Sequence, residues 1–160
     1  MAKPSIVLRR VDDASLVATA RTLFREYAGA IGVDLEYQGF SAELAGLPAP
    51  YVGPDGALFL AFVDGAAAGC AALRRYDARS GEMKRLYVRD ACRGFGLGAR
   101  LVDAIVDAAR VAGYTELRLD TLASMTSAQA LYRRLGFIET PPYGDAHIAG
   151  TRFYALRLAQ

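Results

Sequence analysis

One histidine, two cysteines and a formal net charge of only +2 leave this 160-residue chain poor in several kinds of chemistry. Cys70 and Cys92 stand alone, without the clustered spacing of a zinc site or the even ladder of a disulfide framework. No metal is therefore expected, and a reducing, cytoplasmic setting is. Charged residues make up 22% of the chain with both signs interspersed, so no basic block marks a nucleic acid or an anionic membrane as partner. No apolar run reaches membrane-spanning length, and the Met1-Ala2-Lys3-Pro4 start lacks the apolar stretch of a signal peptide. No Ser/His or Cys/His pairing suggests a nucleophilic enzyme.

What the chain does have is 53% hydrophobic content, enough for one core across residues 1–160. Ile6 to Val11 reads as a strand. Asp12 or Asp13 then caps a helix with apolar positions at Leu16, Ala20, Leu23, Phe24 and Tyr27. After an irregular stretch with a short helix near Ser41 to Leu47, Leu58–Val63 and Ala67–Arg75 form a hairpin about Asp64-Gly65. Glu82–Val88 extends that meander. A helix from about Leu97 to Ala112 leads to the strand Glu116–Asp120, parallel to the preceding one because a crossover of that length joins them. A helix capped by Ser124 or Thr126 and two closing strands, Phe137–Thr140 and Arg152–Leu158, complete one mixed α/β domain.

The most telling run is Arg93-Gly94-Phe95-Gly96-Leu97-Gly98, set between a strand and a helix start. Glycines let an anion approach the backbone, the helix N-terminus offers free N–H groups, and Arg93 adds a planar cation. This is a phosphate cradle. Gly94, Gly96 and Ala99, with Asp120 downstream, also satisfy a dinucleotide fingerprint, but too few residues follow to supply the further parallel strands that such a fold needs. No Gly-Lys-Ser/Thr follows, which excludes a P-loop.

Arg93-x-x-Gly96-x-Gly98, followed by Ala128-x-x-Leu131-Tyr132-x-x-x-Gly136-Phe137, resembles two motifs of the GNAT superfamily of acyl-CoA-dependent N-acyltransferases. The resemblance covers nearly the whole chain and is closest to a generic bacterial branch. It implies a central mixed sheet of about six to seven strands flanked by about four helices, and acetyl-CoA as cosubstrate. Leu86, Tyr87 and Val88 would pair with the pantetheine arm like an added strand. Amides across Arg93, Gly94, Phe95, Gly96, Leu97, Gly98 and Ala99 would hold the diphosphate, and Tyr132 would lie by the sulfur as general acid. Met125 departs from the pattern: many members carry Asn there, so Thr126 or Ser127 would have to supply that polar contact.

Within that resemblance, a primary amine of a small molecule or peptide attacks the thioester directly, and the Leu86 or Tyr87 N–H is the natural oxyanion donor. Glu82, eleven residues before Arg93, stands where some members place a base. Its other reading is a pair with Lys84 on the same strand face. Lys84 itself could bind an acidic group of the substrate. Asp120 is either a site residue at the carboxyl edge of its strand or a turn cap. Cys92 reads as a small structural cysteine. Tyr27, Gln38 and His147, with Arg25, Glu26, Tyr37, Phe40 and Tyr143, fall in the segments that build the acceptor side of this fold, and a surface position is the other reading of His147. A homodimer fits the family. The competing function is a non-catalytic CoA-binding regulatory or sensor module, and a third reading makes the glycines purely structural.

Overall fold

Asp13 caps the first helix as the sequence suggests: its carboxylate accepts the Leu16 N–H at 2.8 Å, and Gly32, at φ +67°, ends the helix. The computed structural model describes residues 3–144 and 147–159. Readings of Met1 and Ala2 therefore lie outside the described residues. The elements run β1 (Ile6–Arg10), α1 (Ala14–Ile31), a short 3₁₀ turn (Leu35–Gln38), α2 (Phe40–Gly46), β2 (Ala57–Val63), β3 (Ala66–Arg75) and β4 (Ser80–Val88). They continue with α3 (Leu97–Val111), β5 (Glu116–Thr121), α4 (Thr126–Arg134), β6 (Ile138–Thr140) and β7 (Arg152–Arg157). The strands form one mixed sheet in the order β1-β2-β3-β4-β5-β7-β6. Among the described residues only β4 and β5 pair in parallel. Seven strands and four α-helices match the expected architecture. Neither Ser124 nor Thr126 caps α4, whose N-cap is Met125 with no side-chain hydrogen bond.

Each face of the sheet has its own core. On one, α3 and α4 pack Leu101, Ile105 and Tyr132 against Ala71, Met83, Leu117 and Leu119. On the other, α1 and α2 pack Leu23, Phe24 and Phe40 against Leu58, Leu60 and Ala72. Full burial of each large aliphatic side chain contributes about 1.5–3 kcal/mol, so the α3 seam alone anchors that layer.

The decisive irregularity is in β4. Cys70 pairs with Tyr87 while Ala72 pairs with Lys84, so β4 carries one extra residue opposite β3. Arg85 sits at the insertion with φ +62°, a left-handed conformation unfavourable for a residue with a Cβ. Four residues hold it there. The Cys70 thiol donates to the Arg85 carbonyl at 3.3 Å. The guanidinium makes two bonds to Glu43, at 2.7 and 3.0 Å, and a third to Gln38 at 2.9 Å. Phe40 lies beneath it, its ring centroid 5.1 Å from the guanidinium carbon. Burial alone would lower the Arg85 pKa, but the Glu43 carboxylate more than reverses that and leaves it above its ordinary value.

The bulge bends β4 away from β5. Their ladder covers only Ser80, Gly81 and Glu82 against Glu116, Leu117 and Arg118. Beyond it, β5 continues paired with β7 through Thr121, while the β5-facing edge of Met83–Val88 leaves the ladder.

Two stability outcomes follow from this geometry. A Cβ at Gly69 would stand 2.6 Å from the Tyr87 carbonyl oxygen, on the far side of the bulge. Gly69→Ala is expected to cost about 1–3 kcal/mol in urea denaturation, because backbone rather than a flexible side chain has to move. Arg85→Met leaves the half-buried Glu43 without its cation and is expected to cost about 3–5 kcal/mol. The double variant Arg85→Met, Glu43→Leu should recover most of that loss, and a double variant as unstable as the single one would contradict this account.

Candidate active site

Alternation along the two diverging strands decides what the gap presents. On β5, Leu117, Leu119 and Thr121 face α3 and α4, leaving Arg118 and Asp120 on the opposite side. On β4, Met83 faces α3, whereas Glu82 and Lys84 face the α1–α2 side. The bulge then turns Arg85 to that same side, so two consecutive cations share a face that simple alternation would have split.

Three connected spaces run through the gap. The first is a groove of about 650 Å³ between β4 and α4, closed at one end by the turn into α3. Leu86, Tyr87 and Val88 line it, as do Arg93, Gly94, Gly96, Leu97, Gly98 and Ala99. Gly96 caps α3 without a side-chain bond, and the first helical N–H with a backbone acceptor is that of Arg100. The amides of Leu97, Gly98 and Ala99 thus form the donor set of a helix N-terminus, directed at the groove. Gly94 and Gly96 take φ of +94° and +72°, the left-handed turn for which the Arg/Gly run is suited. Phe95 is absent from the groove wall and is 42% exposed. Arg93 lies at the rim, paired with Asp90 at 3.1 Å. Ser127 and Arg134 also line the groove, beside Met125 and Thr126.

The second space is a small throat of about 30 Å³. It shares Tyr27, Ile31, Leu86 and Met125 with the groove. Tyr132 lines it from α4 and is buried, which pushes its phenol pKa well above the ordinary value. Burial likewise raises Tyr27, to about 12. The Thr121 hydroxyl is buried at the throat with no hydrogen-bond partner among the described residues.

The third space, about 290 Å³, opens on the α1–α2 face and shares Tyr37, Gln38, Lys84, Arg85 and Asp120 with the throat. Glu82 lies on this third wall with both oxygens engaged: Arg74 Nε donates to Oε1 at 2.8 Å and the Tyr143 hydroxyl to Oε2 at 2.9 Å. Glu82 therefore pairs with Arg74, its cross-strand neighbour, and not with Lys84. Burial, then the Glu82 carboxylate, raises the Tyr143 pKa. Tyr143 and Tyr76 flank the Arg118 guanidinium, each ring centroid 5.4 Å from it. Lys84 Nζ instead lies 3.8 Å from Asp120 and donates to Gln38 Oε1 at 3.3 Å.

Tyr132, Leu86, Lys84, Asp120, Tyr27 and Gln38 thus meet at the throat, with Glu82 on the adjoining wall. His147 does not join them: it is exposed, edge-on to Phe153 at 5.4 Å, and it lines none of these spaces. Glu26 is also elsewhere, holding Arg89 through bonds of 2.6 and 2.8 Å. Glu43, Arg74 and Arg85 are the wall residues that sequence reasoning missed. Their partners lie 42 and 8 residues away, and the second of these spacings follows only from the hairpin register.

The chain resembles known acetyltransferases in sequence and in shape. It is 35% identical to an uncharacterised N-acetyltransferase of Schizosaccharomyces pombe over 142 residues, covering 88% of this chain and 87% of that protein. A GNAT-family acetyltransferase from Staphylococcus aureus superposes with a TM-score of 0.79 at 20% identity, over 97% of this chain and all of that one. A putative acetyltransferase from Salmonella typhimurium, solved with its cofactor acetyl-CoA, shares the fold with a TM-score of 0.69 at 19% identity, over 97% of this chain and 95% of that one. The sequence model of the Acetyltransferase (GNAT) family matches residues 23–137, which hold the gap, the glycine turn and the Tyr132 helix, and the chain belongs to that family.

Proposed function

We propose that this acetyltransferase moves the acetyl group of acetyl-CoA onto a primary amine of a small molecule or peptide, by direct attack while both are bound. One observation carries the reading: a groove and a separate polar pocket that share no wall residue both adjoin one small throat lined by Lys84, Leu86, Asp120 and Tyr132. Two substrates held in separate spaces that meet need no covalent enzyme intermediate.

The groove residues fit the cosubstrate. Free first-turn amides of α3 and the Arg93 guanidinium suit a diphosphate. The β5-facing edge of Leu86–Val88, outside the ladder, suits an amide-bearing arm laid alongside as an extra strand. Acetyl-CoA supplies an activated thioester. The Leu86 or Tyr87 N–H is the proposed donor to the carbonyl oxygen as charge develops on it. Tyr132 is the proposed acid for the departing sulfur. Its raised pKa keeps the proton in place at any pH where the protein is assayed. Glu82 is the proposed base, receiving the amine proton through water or through the Tyr143 hydroxyl that already donates to it. The free thiols of Cys70 and Cys92 suit a reducing cytoplasm.

Tyr132→Phe is expected to lower kcat by about 100-fold or more while leaving acetyl-CoA affinity unchanged, as read by thiol release and by calorimetry. Because burial raises this phenol, the wild-type rate should show no fall from its ionisation up to about pH 10, the ordinary tyrosine value. Unchanged turnover in the variant removes Tyr132 from the acid role. Glu82→Gln should lower the rate most at low pH, where the amine is most fully protonated. A pH profile parallel to wild type assigns that proton to solvent. Thermal stabilisation by acetyl-CoA without thiol release to any amine would instead mark a binding module.

A further inference from the structure

Lys84 is the least satisfied charge at the site. Its side chain is 8% exposed, yet its partners are Gln38 at 3.3 Å and Asp120 at 3.8 Å, the latter beyond hydrogen-bond reach. The neighbouring charges are closed: Arg85 is held by Glu43, and Arg74 by Glu82. A buried ammonium with three donors and one long hydrogen bond leaves room for a better acceptor.

Lys84 and Asp120 also stand where the throat meets the acceptor pocket. Their charges are opposite and a few ångströms apart, the complement of a molecule with an amine and a carboxylate on one carbon. We propose that the acceptor is a free α-amino acid, its carboxylate bound by Lys84 and its amine held by Asp120 at the throat. This rests on the N-acetyltransferase reading above and names its substrate class. The zwitterion would replace one loose ion pair with two close ones, so neither buried charge is left uncompensated when the substrate binds. The remaining pocket, about 290 Å³, has the size of a small-molecule site and suits a side chain against Tyr37, Tyr76 and Tyr143. A polyamine would bring extra positive charge toward Lys84 and Arg85. A decarboxylated amine would leave Lys84 as it is.

The step balances simply. The ammonium loses one proton, which passes by way of the acceptor-face carboxylates to solvent. The neutral nitrogen forms a C–N bond to the acetyl carbon, the C–S bond breaks, the nitrogen sheds a second proton, and the sulfur leaves as a thiol. The products are the N-acetylamino acid and free CoA.

The test measures thiol release from acetyl-CoA with proteinogenic α-amino acids, each beside its carboxamide and its decarboxylated amine. The best free amino acid should exceed its carboxamide in kcat/KM by about 10- to 100-fold, the scale of one charge-assisted hydrogen-bonding contact. Lys84→Gln should bring acid and carboxamide to the same kcat/KM, with acetyl-CoA stabilisation confirming that the variant folds. Carboxamides or decarboxylated amines that react as well as the acids in wild type overturn the proposal and leave the acetyltransferase reading intact. A preference that survives Lys84→Gln overturns it as well. If no amine releases thiol, the acetyltransferase reading fails and calorimetry decides this one: amino-acid binding that is lost in Lys84→Gln supports it, and no binding overturns it.

Discussion

The extra residue in β4 is the constraint on which the rest depends. A regular β4 would have stayed hydrogen-bonded to β5, leaving no gap, no throat and no exposed backbone edge beside the glycine turn. Arg85 in a left-handed conformation costs on the order of 1–3 kcal/mol. The compensation is local and specific: two bonds to Glu43, one to Gln38, the Phe40 ring, and the Cys70 thiol on the carbonyl. Gly69 completes the device by leaving space for the displaced Tyr87 carbonyl. The same insertion that opens the sheet also places Arg85 beside Lys84. One backbone irregularity thus sets both the shape of the gap and the charge of its wall.

The two sides of the gap are built from different materials. The groove side relies on main chain: helix-start amides, glycine turns and a strand edge. Such a site reads any ligand that offers acceptors in the right places and asks little of the side chains around it. The acceptor side relies on side chains, with three cations (Arg74, Lys84, Arg85) opposing three anions (Glu43, Glu82, Asp120). Two of the pairs are tight and the third is loose. The Arg85–Glu43 and Lys84–Asp120 pairs are largely buried, and such pairs stabilise little against an apolar wall but penalise the loss of either partner heavily, so they fix geometry more than they add stability.

That difference explains what could be read in advance. The Arg93–Gly98 turn was legible because a backbone site demands glycines close together in the chain, whereas the Ala128–Phe137 segment was legible only through its resemblance to a GNAT motif. Alternation in β4 put Glu82 and Lys84 on one face, and Asp120 stood out by its place at the end of β5, but their sharing of one wall came only with the fold. The bulge was not legible, because Lys84-Arg85-Leu86 carries no glycine to mark a left-handed residue. Nor was the Glu43–Arg85 pair, whose members lie 42 residues apart and meet only when α2 packs on the sheet. No sequence pattern assigned Cys70 a task, since it stood alone, and its thiol satisfies the bulge carbonyl. His147 shows the converse: a residue type that invites a catalytic role, sitting in an exposed loop away from the throat.

The narrowness of the throat bears on the proposed chemistry. Water competes with an amine for any thioester, and it is present at far higher concentration. In the proposed reaction a passage this small, walled by Leu86, Met125 and the buried Tyr132, would limit that competition to what the acceptor leaves unfilled. On the proposed reading, an amine anchored in the adjoining pocket would displace water from the throat as it reaches the carbonyl. The same enclosure raises the Tyr132 pKa, since a phenolate there would have no solvent to stabilise it. Exclusion of water and retention of the acid proton are therefore one physical effect, and both trace back to the two strands parting by a single inserted residue.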